Sequence, residues 1–447
     1  MATGSNVSYW ITRTLTHTRM VVDAGGVYVD GQGPLPIVRP GSVPELAETI
    51  REAVEHGEAV YPLGGGTLLD YGLPPAKPGR AIDMRGLNRL VEYPAADMTV
   101  TVEAGQTLAQ LQRVLHEQGQ WLPLDVPLAE HATLGGALAT NWPGPRRYGY
   151  GSWRDYVLGM TVVNDRGELT RSGGRVVKNV AGYDLHKLHI GALGTLGVLV
   201  EVTLKIRPLP ESRSLLCWRC PENVLSGLLD AVHASQTRPV TIAVMNDRAA
   251  RLCNIIPSGT ESDSCLVLLG FEEKRSTVRW QREQIHRELS RISGSDLIEE
   301  WEEAESLAVW QALTDFPAVA SAPVSFRVQV LPSQTVYVLR ALKHLGEAAW
   351  LAHAGQGTIY GHWWNLDEAD LKNRLTALRK TAAAHSRIQA ESVAAPGRVV
   401  VLRCPPTWKT PALVWGDPPN DQWLQRKIKD TFDPRHCFNP GRFPAGW

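Results

Sequence analysis

Three consecutive glycines, Gly64, Gly65 and Gly66, followed by the hydroxyl of Thr67, form the most chemically suggestive run in this 447-residue chain. Successive amide N–H groups in such a turn can converge on one anion, and the threonine adds a donor. The run lacks the Gly-x-Gly-x-x-Gly spacing of a dinucleotide fold and the Gly-Lys-Ser/Thr ending of a P-loop, and a plain turn reads the same way. A second run, Ala132 to Asn141 with Gly144 and Gly151 after it, packs small residues among Thr133, Thr140 and Asn141. That composition suits either a wall where short polar groups meet a flat ligand or a tightly packed core loop. Glycine punctuation returns between Val177 and Gly197. His186 and His189 lie three apart there with no third metal ligand nearby, so packing or capping accounts for them better than zinc.

The elements that must position these runs follow from local signals. Ser42-Val-Pro-Glu45 fits a capping box, Leu46, Ile50 and Val54 recur at helical spacing, and Gly57 ends the helix. Ala59 to Tyr61 then reads as a strand leading into the glycine loop. Thr107 caps a second helix with Leu108, Leu111, Val114 and Leu115 on one face. Hairpins are expected at Leu90 to Glu103 and at Tyr156 to Arg171, and Val198 to Ile206 alternates as a half-buried strand. Pro208 to Ser214 marks a boundary. Beyond it strand-like and helical runs alternate as in an α+β domain with helices over one sheet face. A last helix starts near Asp421. The domains expected are an N-terminal arm over 1–35, a ligand-binding domain over 36–210, a second domain over 211–415 and a returning tail over 416–447.

The chain is long enough for two or more cores. Lys plus Arg (46) balances Asp plus Glu (46), which argues against nucleic acid as the main partner. No apolar run approaches the ~20 residues that span a bilayer, and the first thirty residues carry no secretion-signal core, so a cytoplasmic protein is expected. Cys217 and Cys220 fall three apart on a predicted strand and face opposite sides, which excludes a redox pair, and no four-cysteine run suits an iron–sulfur cluster.

Four blocks together resemble the FAD-linked oxidases of the vanillyl-alcohol-oxidase and p-cresol-methylhydroxylase (PCMH) type. They are Pro62 to Thr67, Ala132 to Gly136 with Asn141, Lys178 to Leu185 with Gly194 to Gly197, and Phe438-Asn-Pro-Gly-Arg442. Within the family the last two blocks look most like the FAD-binding E subunit of glycolate dehydrogenase. The resemblance implies an α+β chain: a PCMH-type two-subdomain FAD-binding domain, then a ferredoxin-like cap or substrate domain, with the tail returning to the FAD domain. It implies that Pro62, Gly64, Gly65, Gly66 and Thr67 hold the FAD pyrophosphate. Thr133, Gly135, Gly136 and Asn141 would line the flavin, Asp125, Ala132, Thr140, Gly144 and Gly151 would belong to the cofactor site, Val198 would meet adenine, and Asn439 would approach the isoalloxazine ring. Relatives that tether FAD covalently use a histidine or cysteine at the glycine loop; Gly64 to Asp70 has neither, so noncovalent FAD is expected.

Hydroxy-acid members carry a His-x-Gly-Asp-Gly-Asn-x-His segment that supplies a metal ligand or base. This chain has His353-Ala-Gly-Gln-Gly-Thr-Ile-Tyr-Gly-His362, with Gln356, Thr358 and Tyr360 at the departing positions. The mixture makes a poor divalent-metal site, and a tyrosine with a reference pKa of about 10 is a poor base. Hydride transfer from a hydroxyl-bearing carbon needs a proton acceptor and a carboxylate-binding cation. His353, His362 or Tyr360 is the candidate base and Arg327 the candidate cation. The implied function is oxidation of a 2-hydroxy acid of the glycolate or lactate type. The implied partners are a sister FAD subunit and an iron–sulfur subunit, with peripheral membrane association only through them. A self-sufficient dehydrogenase and a non-catalytic scaffold are the alternatives.

Overall fold

The computed structural model describes residues 21–23, 26–175, 182–255, 264–319, 321–384, 397–444 and 446. The Lys178 to Ala181 part of the third block, and residues 1–20 of the arm, lie outside the described residues. The chain forms two compact units. One gathers 18–143, 152–209 and 406–447, and the other gathers 144–151 and 210–405.

In the first unit, Ser42 Oγ accepts from the Glu45 amide and caps the helix Val43–Glu55, whose Leu46, Ile50, Ala53 and Val54 are buried. They pack with Val60, Ile82, Val198 and Phe438 in one apolar cluster. The strands Ile37–Val38, Gly79–Asp83 and Ala59–Leu63 form a parallel sheet in that order. A five-stranded antiparallel sheet runs Leu169–Gly173, Val157–Val163, Val198–Lys205, Thr99–Glu103, Leu90–Glu92. The alternation read from Val198 onward is thus a central strand of this sheet.

The N-terminal arm contributes an antiparallel sheet, Val21–Asp23, Gly26–Val29 and Gln32–Leu35. Asp30 (φ 51°) and Gly31 (φ 80°) join its last two strands. Two left-handed residues in succession make a type I′ hairpin, the turn that Asp-Gly favours.

The second unit holds one eight-stranded antiparallel sheet. Its order is Asp296–Glu302, Ser212–Pro221, Ser264–Glu273, Thr241–Asn246, Ala348–His353, Thr358–Trp363, Val324–Gln329, Arg398–Arg403. Each half follows a β-α-β-β-α-β sequence, with helices Glu222–Ala234 and Arg275–Leu289 in one and Thr335–Lys343 and Glu368–Ala384 in the other. The expected ferredoxin-like domain is therefore a pair of such halves. They join edge to edge where Ala243, Val244 and Met245 pair with His353, Ala352 and Leu351. Joining two edges satisfies backbone groups that each half alone would expose. Cys217 lies opposite Leu268 while Cys220 lies opposite Cys265. All six cysteines are buried free thiols, and burial pushes Cys220 up to about 11.

Candidate cofactor and substrate sites

The strand Ala59–Leu63 ends against the C-terminal tail. The Val60 amide donates to the Cys437 carbonyl at 2.8 Å, and the Asn439 amide donates to the Val60 carbonyl at 3.0 Å. The glycine loop follows directly. A Cβ on Gly64 would fall 2.1 Å from Thr133 Oγ1, and one on Gly65 would fall 1.8 Å from the His131 carbonyl oxygen. Only Gly66, with φ 74°, needs glycine for its backbone conformation. The sequence reading took the bare glycines as room for a ligand. Two of them are in fact required by the close approach of the second small-residue run.

What the loop offers a ligand is its amides. Those of Gly64, Gly65, Gly66 and Thr67 donate to no group among the described residues. Such unspent donors, side by side at a cavity, form the concave nest in which an anion binds. The cavity they line encloses about 1030 Å³, open mouth included.

Its second wall is the short helix Leu134–Thr140. Thr133 caps this helix by accepting from the Gly136 amide at 3.3 Å. Gly135 donates to the Ala104 carbonyl at 2.7 Å, and a Cβ there would press on Ala104. The third wall is the loop Gly191 to Gly197, held to that helix by Gly191 N–H to Leu138 O (2.9 Å) and Leu193 N–H to Ala139 O (2.8 Å). Asn439 Nδ2 donates to the Leu193 carbonyl at 2.8 Å and so ties the tail to this wall.

Of the expected cofactor residues, Pro62, Gly64, Gly65, Gly66, Thr67, Ala132, Thr133, Gly135, Gly136, Thr140, Val198 and Asn439 line this one cavity. Asp125 does not, and its neighbour Val126 does. Asn141 ends the helix in a left-handed conformation (φ 46°) and packs by Gly191. Gly144 and Gly151 bound the segment grouped with the second unit. Sequence reading missed Val29, Leu69, Tyr71, Met84 and Leu193. These are ordinary apolar residues that carry no local signal of a ligand. Arg442 also lines the cavity, and its place in the Phe438 to Arg442 run was the available clue.

His186 accepts or donates at Nδ1 with Ser172 Oγ (3.1 Å), and His189 packs edge-on against Phe432. Burial lowers His189 to about 4. No group of three metal-ligating side chains gathers among the described residues.

The four catalytic candidates share one face of the second unit's sheet. Arg327 pairs with Tyr360, Ser325 with His362, and Thr358 with His353. The His353 and Tyr360 rings lie 5.7 Å apart. His362 Nε2 lies 2.8 Å from the Phe316 carbonyl, which only accepts, so Nε2 carries the proton. Nδ1 then accepts from the Ser325 hydroxyl at 2.8 Å. Both ring nitrogens are engaged in a buried site, and burial lowers the pKa to about 4. His362 is thus held as a neutral ring whose remaining lone pair accepts from a serine hydroxyl. His353 differs: its Nδ1 is buried and has no hydrogen-bond partner among the described residues, and burial lowers its pKa to about 3. Gln356 donates from Nε2 to the Gly144 carbonyl at 2.8 Å and leaves Oε1 unpartnered.

A mixed PCMH-like fold and a cavity lined by the glycine loop with its unspent amides fit a flavin-binding oxidoreductase. A family model described as "FAD binding domain" matches residues 34–173, and one described as "FAD linked oxidases, C-terminal domain" matches residues 209–363. The chain belongs to the FAD-linked oxidases, and its cofactor is FAD. It is 28% identical over 435 residues to a D-2-hydroxyglutarate dehydrogenase of Xanthomonas citri pv. viticola, covering 92% of this chain and 89% of that one. It is 36% identical over 168 residues to the glycolate oxidase subunit GlcE of Escherichia coli K12, covering 37% and 47%. A solved alkyldihydroxyacetonephosphate synthase superposes with a TM-score of 0.63 at 19% identity, covering 91% of this chain and 77% of that one, and shares the fold. No helix among the described residues is long and apolar enough to cross a membrane.

Proposed function

We propose that this chain is the FAD-binding subunit of a glycolate dehydrogenase-like complex that oxidises a 2-hydroxy acid of the glycolate or lactate type. The four unspent amides of Gly64 to Thr67, in a loop that lines the same cavity as the other two small-residue runs, carry this reading. Relatives named for glycolate and for D-2-hydroxyglutarate support the substrate class. Bound FAD supplies the two-electron acceptor. The glycine-loop amides hold its pyrophosphate, the helix Leu134–Thr140 and the loop Gly191 to Gly197 orient the ring system, and no residue at the loop tethers it covalently. The chain is cytoplasmic in this reading and meets a membrane only through its partners.

Substrate chemistry falls to the sheet face that bears Arg327, Tyr360 and His353. In this reading Arg327 grips the carboxylate and His353 Nδ1 takes the proton. With His362 engaged and His353 held strongly neutral by burial, that equipment is meagre. The deficiency supports the accessory role, in which a sister flavoprotein oxidises the acid and an iron–sulfur subunit takes the electrons. A self-sufficient dehydrogenase is the second reading, supported by the D-2-hydroxyglutarate relative that spans nearly the whole chain.

The test starts with the absorbance spectrum of the purified chain, which should show flavin that acid precipitation releases. Anaerobic glycolate, D-lactate and D-2-hydroxyglutarate are then added. Bleaching near 450 nm only when co-purified partners are present supports the accessory role. Bleaching by the chain alone establishes the second reading, and a chain that stays colourless with added FAD refutes both.

A further inference from the structure

Residues 69–73 form a wall of the cavity, with Leu69 and Tyr71 lining it. All five consecutive backbone carbonyls of this stretch are taken by two cations. Arg442 donates to Leu69 O (2.7 Å), Tyr71 O (2.9 Å) and Leu73 O (2.8 Å). Lys409 Nζ donates to Asp70 O and to Gly72 O (3.1 Å). The odd carbonyls go to the arginine and the even ones to the lysine, so the turn is held from both cations at once. Gly72 (φ 101°) lets the strip pass close, since a Cβ there would fall 2.7 Å from the Arg442 carbonyl oxygen.

Both cations meet one counter-ion. Asp30 Oδ2 lies 2.7 Å from Lys409 Nζ and 3.8 Å from Arg442 Nη1, and the Asp30 and Lys409 side chains are 1% and 0% exposed. Asp30 sits at the hairpin turn between Gly26–Val29 and Gln32–Leu35, and Val29 of that hairpin also lines the cavity. The turn precedes residue 34, where the match to the FAD-binding family model begins.

We propose that the hairpin turn at Asp30, with Lys409 and Arg442, is a clamp that shapes the FAD wall at 69–73 and sets the charge beside the cofactor. Asp30 and Lys409 are its positioning residues, acting through Arg442 and the strip. A buried pair broken on one side leaves an uncompensated charge, so the strip loosens whichever partner is removed. The electrostatic effects of the two removals are opposite. Loss of Asp30 leaves excess positive charge near the cavity and favours the more anionic, reduced flavin. Loss of Lys409 leaves excess negative charge and disfavours it.

This inference rests on the FAD reading, and the experiment separates the two. Holoprotein is prepared as wild type, Asp30→Asn, Lys409→Met, Lys409→Arg and the double variant D30N/K409M. FAD dissociation is followed by flavin fluorescence, and the midpoint potential by dye-coupled reduction. Each single charge-removing variant should bind FAD at least about tenfold more weakly, since the loss of one charge-assisted hydrogen bond exceeds the free energy of a tenfold change. D30N should raise the potential and K409M lower it, with K409R close to wild type. If one variant fails to fold, the double variant, which removes one charge of each sign and keeps the net charge of the site, carries the affinity comparison. Unchanged FAD affinity, or potentials that move the same way in both single variants, overturns the clamp. A wild-type chain that binds no FAD overturns the functional reading instead.

Discussion

Gly65→Ala is the sharpest probe of how the cofactor loop is built. The added methyl carbon would start 1.8 Å from the His131 carbonyl oxygen and 2.5 Å from its carbon. Real Cβ atoms keep about 3.0 Å, so the two loops must part by about 1.2 Å. Both groups are backbone, and neither can rotate away as a flexible side chain would. Overpacking of this kind costs typically about 1–3 kcal/mol, and a clash with backbone on both sides belongs at the upper end. Part of that cost falls on FAD binding, because His131 to Thr133 lead directly into the helix that forms the second wall. At about 1.4 kcal/mol per tenfold, FAD should bind roughly ten- to a hundredfold more weakly. Flavin-fluorescence titration of apoprotein measures the affinity, and circular dichroism melting measures the loss to the fold itself. Gly66→Ala is the companion variant, where the penalty comes from φ 74° at about 1–2 kcal/mol rather than from a neighbour. If Gly65→Ala binds FAD within about threefold of wild type with an unshifted melt, the packing account of the loop is wrong.

Three further outcomes follow from named contacts. Lys429 is buried and donates to Thr195 O (2.7 Å), Phe438 O (3.0 Å) and Asp433, so Lys429→Met should destabilise the first unit by about 3–5 kcal/mol in chemical denaturation. A loss under about 1 kcal/mol would show the carbonyls find other partners. Gly227 is exposed in the helix Glu222–Ala234 with nothing within 4 Å of an added Cβ, so Gly227→Ala should raise stability by up to about 1 kcal/mol, and a lower melting temperature would contradict this. His353 and His362 stay neutral when folded down to about 3 and about 4, whereas unfolded histidine titrates near 6.5. The unfolded chain therefore binds the extra protons below that value. Stability present above pH 6.5 is lost on acidification, by about 2–3 kcal/mol for the pair between pH 6 and pH 5. Denaturation midpoints across that interval should fall accordingly, and a flat profile would mean the two rings are not buried as described.

The first unit's local elements were legible because each rests on short-range chemistry. Ser42 and Thr107 cap where expected, and Val198 to Ile206 holds the expected strand, although it is largely buried on both faces rather than half-buried. The small-residue runs marked places where backbone approaches backbone or a ligand, and only the structure shows that all three line one cavity. Sequence could not say what each glycine was for. Whether Gly65 faces a ligand or the His131 carbonyl depends on a loop 66 residues away. The doubled ferredoxin-like sheet was likewise invisible, because the pairing of Thr241–Asn246 with Ala348–His353 spans about a hundred residues and leaves no local pattern.

The sequence, through the motif blocks that carry its family resemblance, determined a flavin-binding oxidoreductase with an altered hydroxy-acid segment. Only the tertiary structure decided that His362 is locked between Ser325 and the Phe316 carbonyl, and that Asp30, Lys409 and Arg442 converge on five successive carbonyls. A proton acceptor and a structural histidine share one side chain, and an exposed aspartate reads like a buried one. Their roles are set by which distant donors and acceptors the fold brings to them and by how much water it leaves.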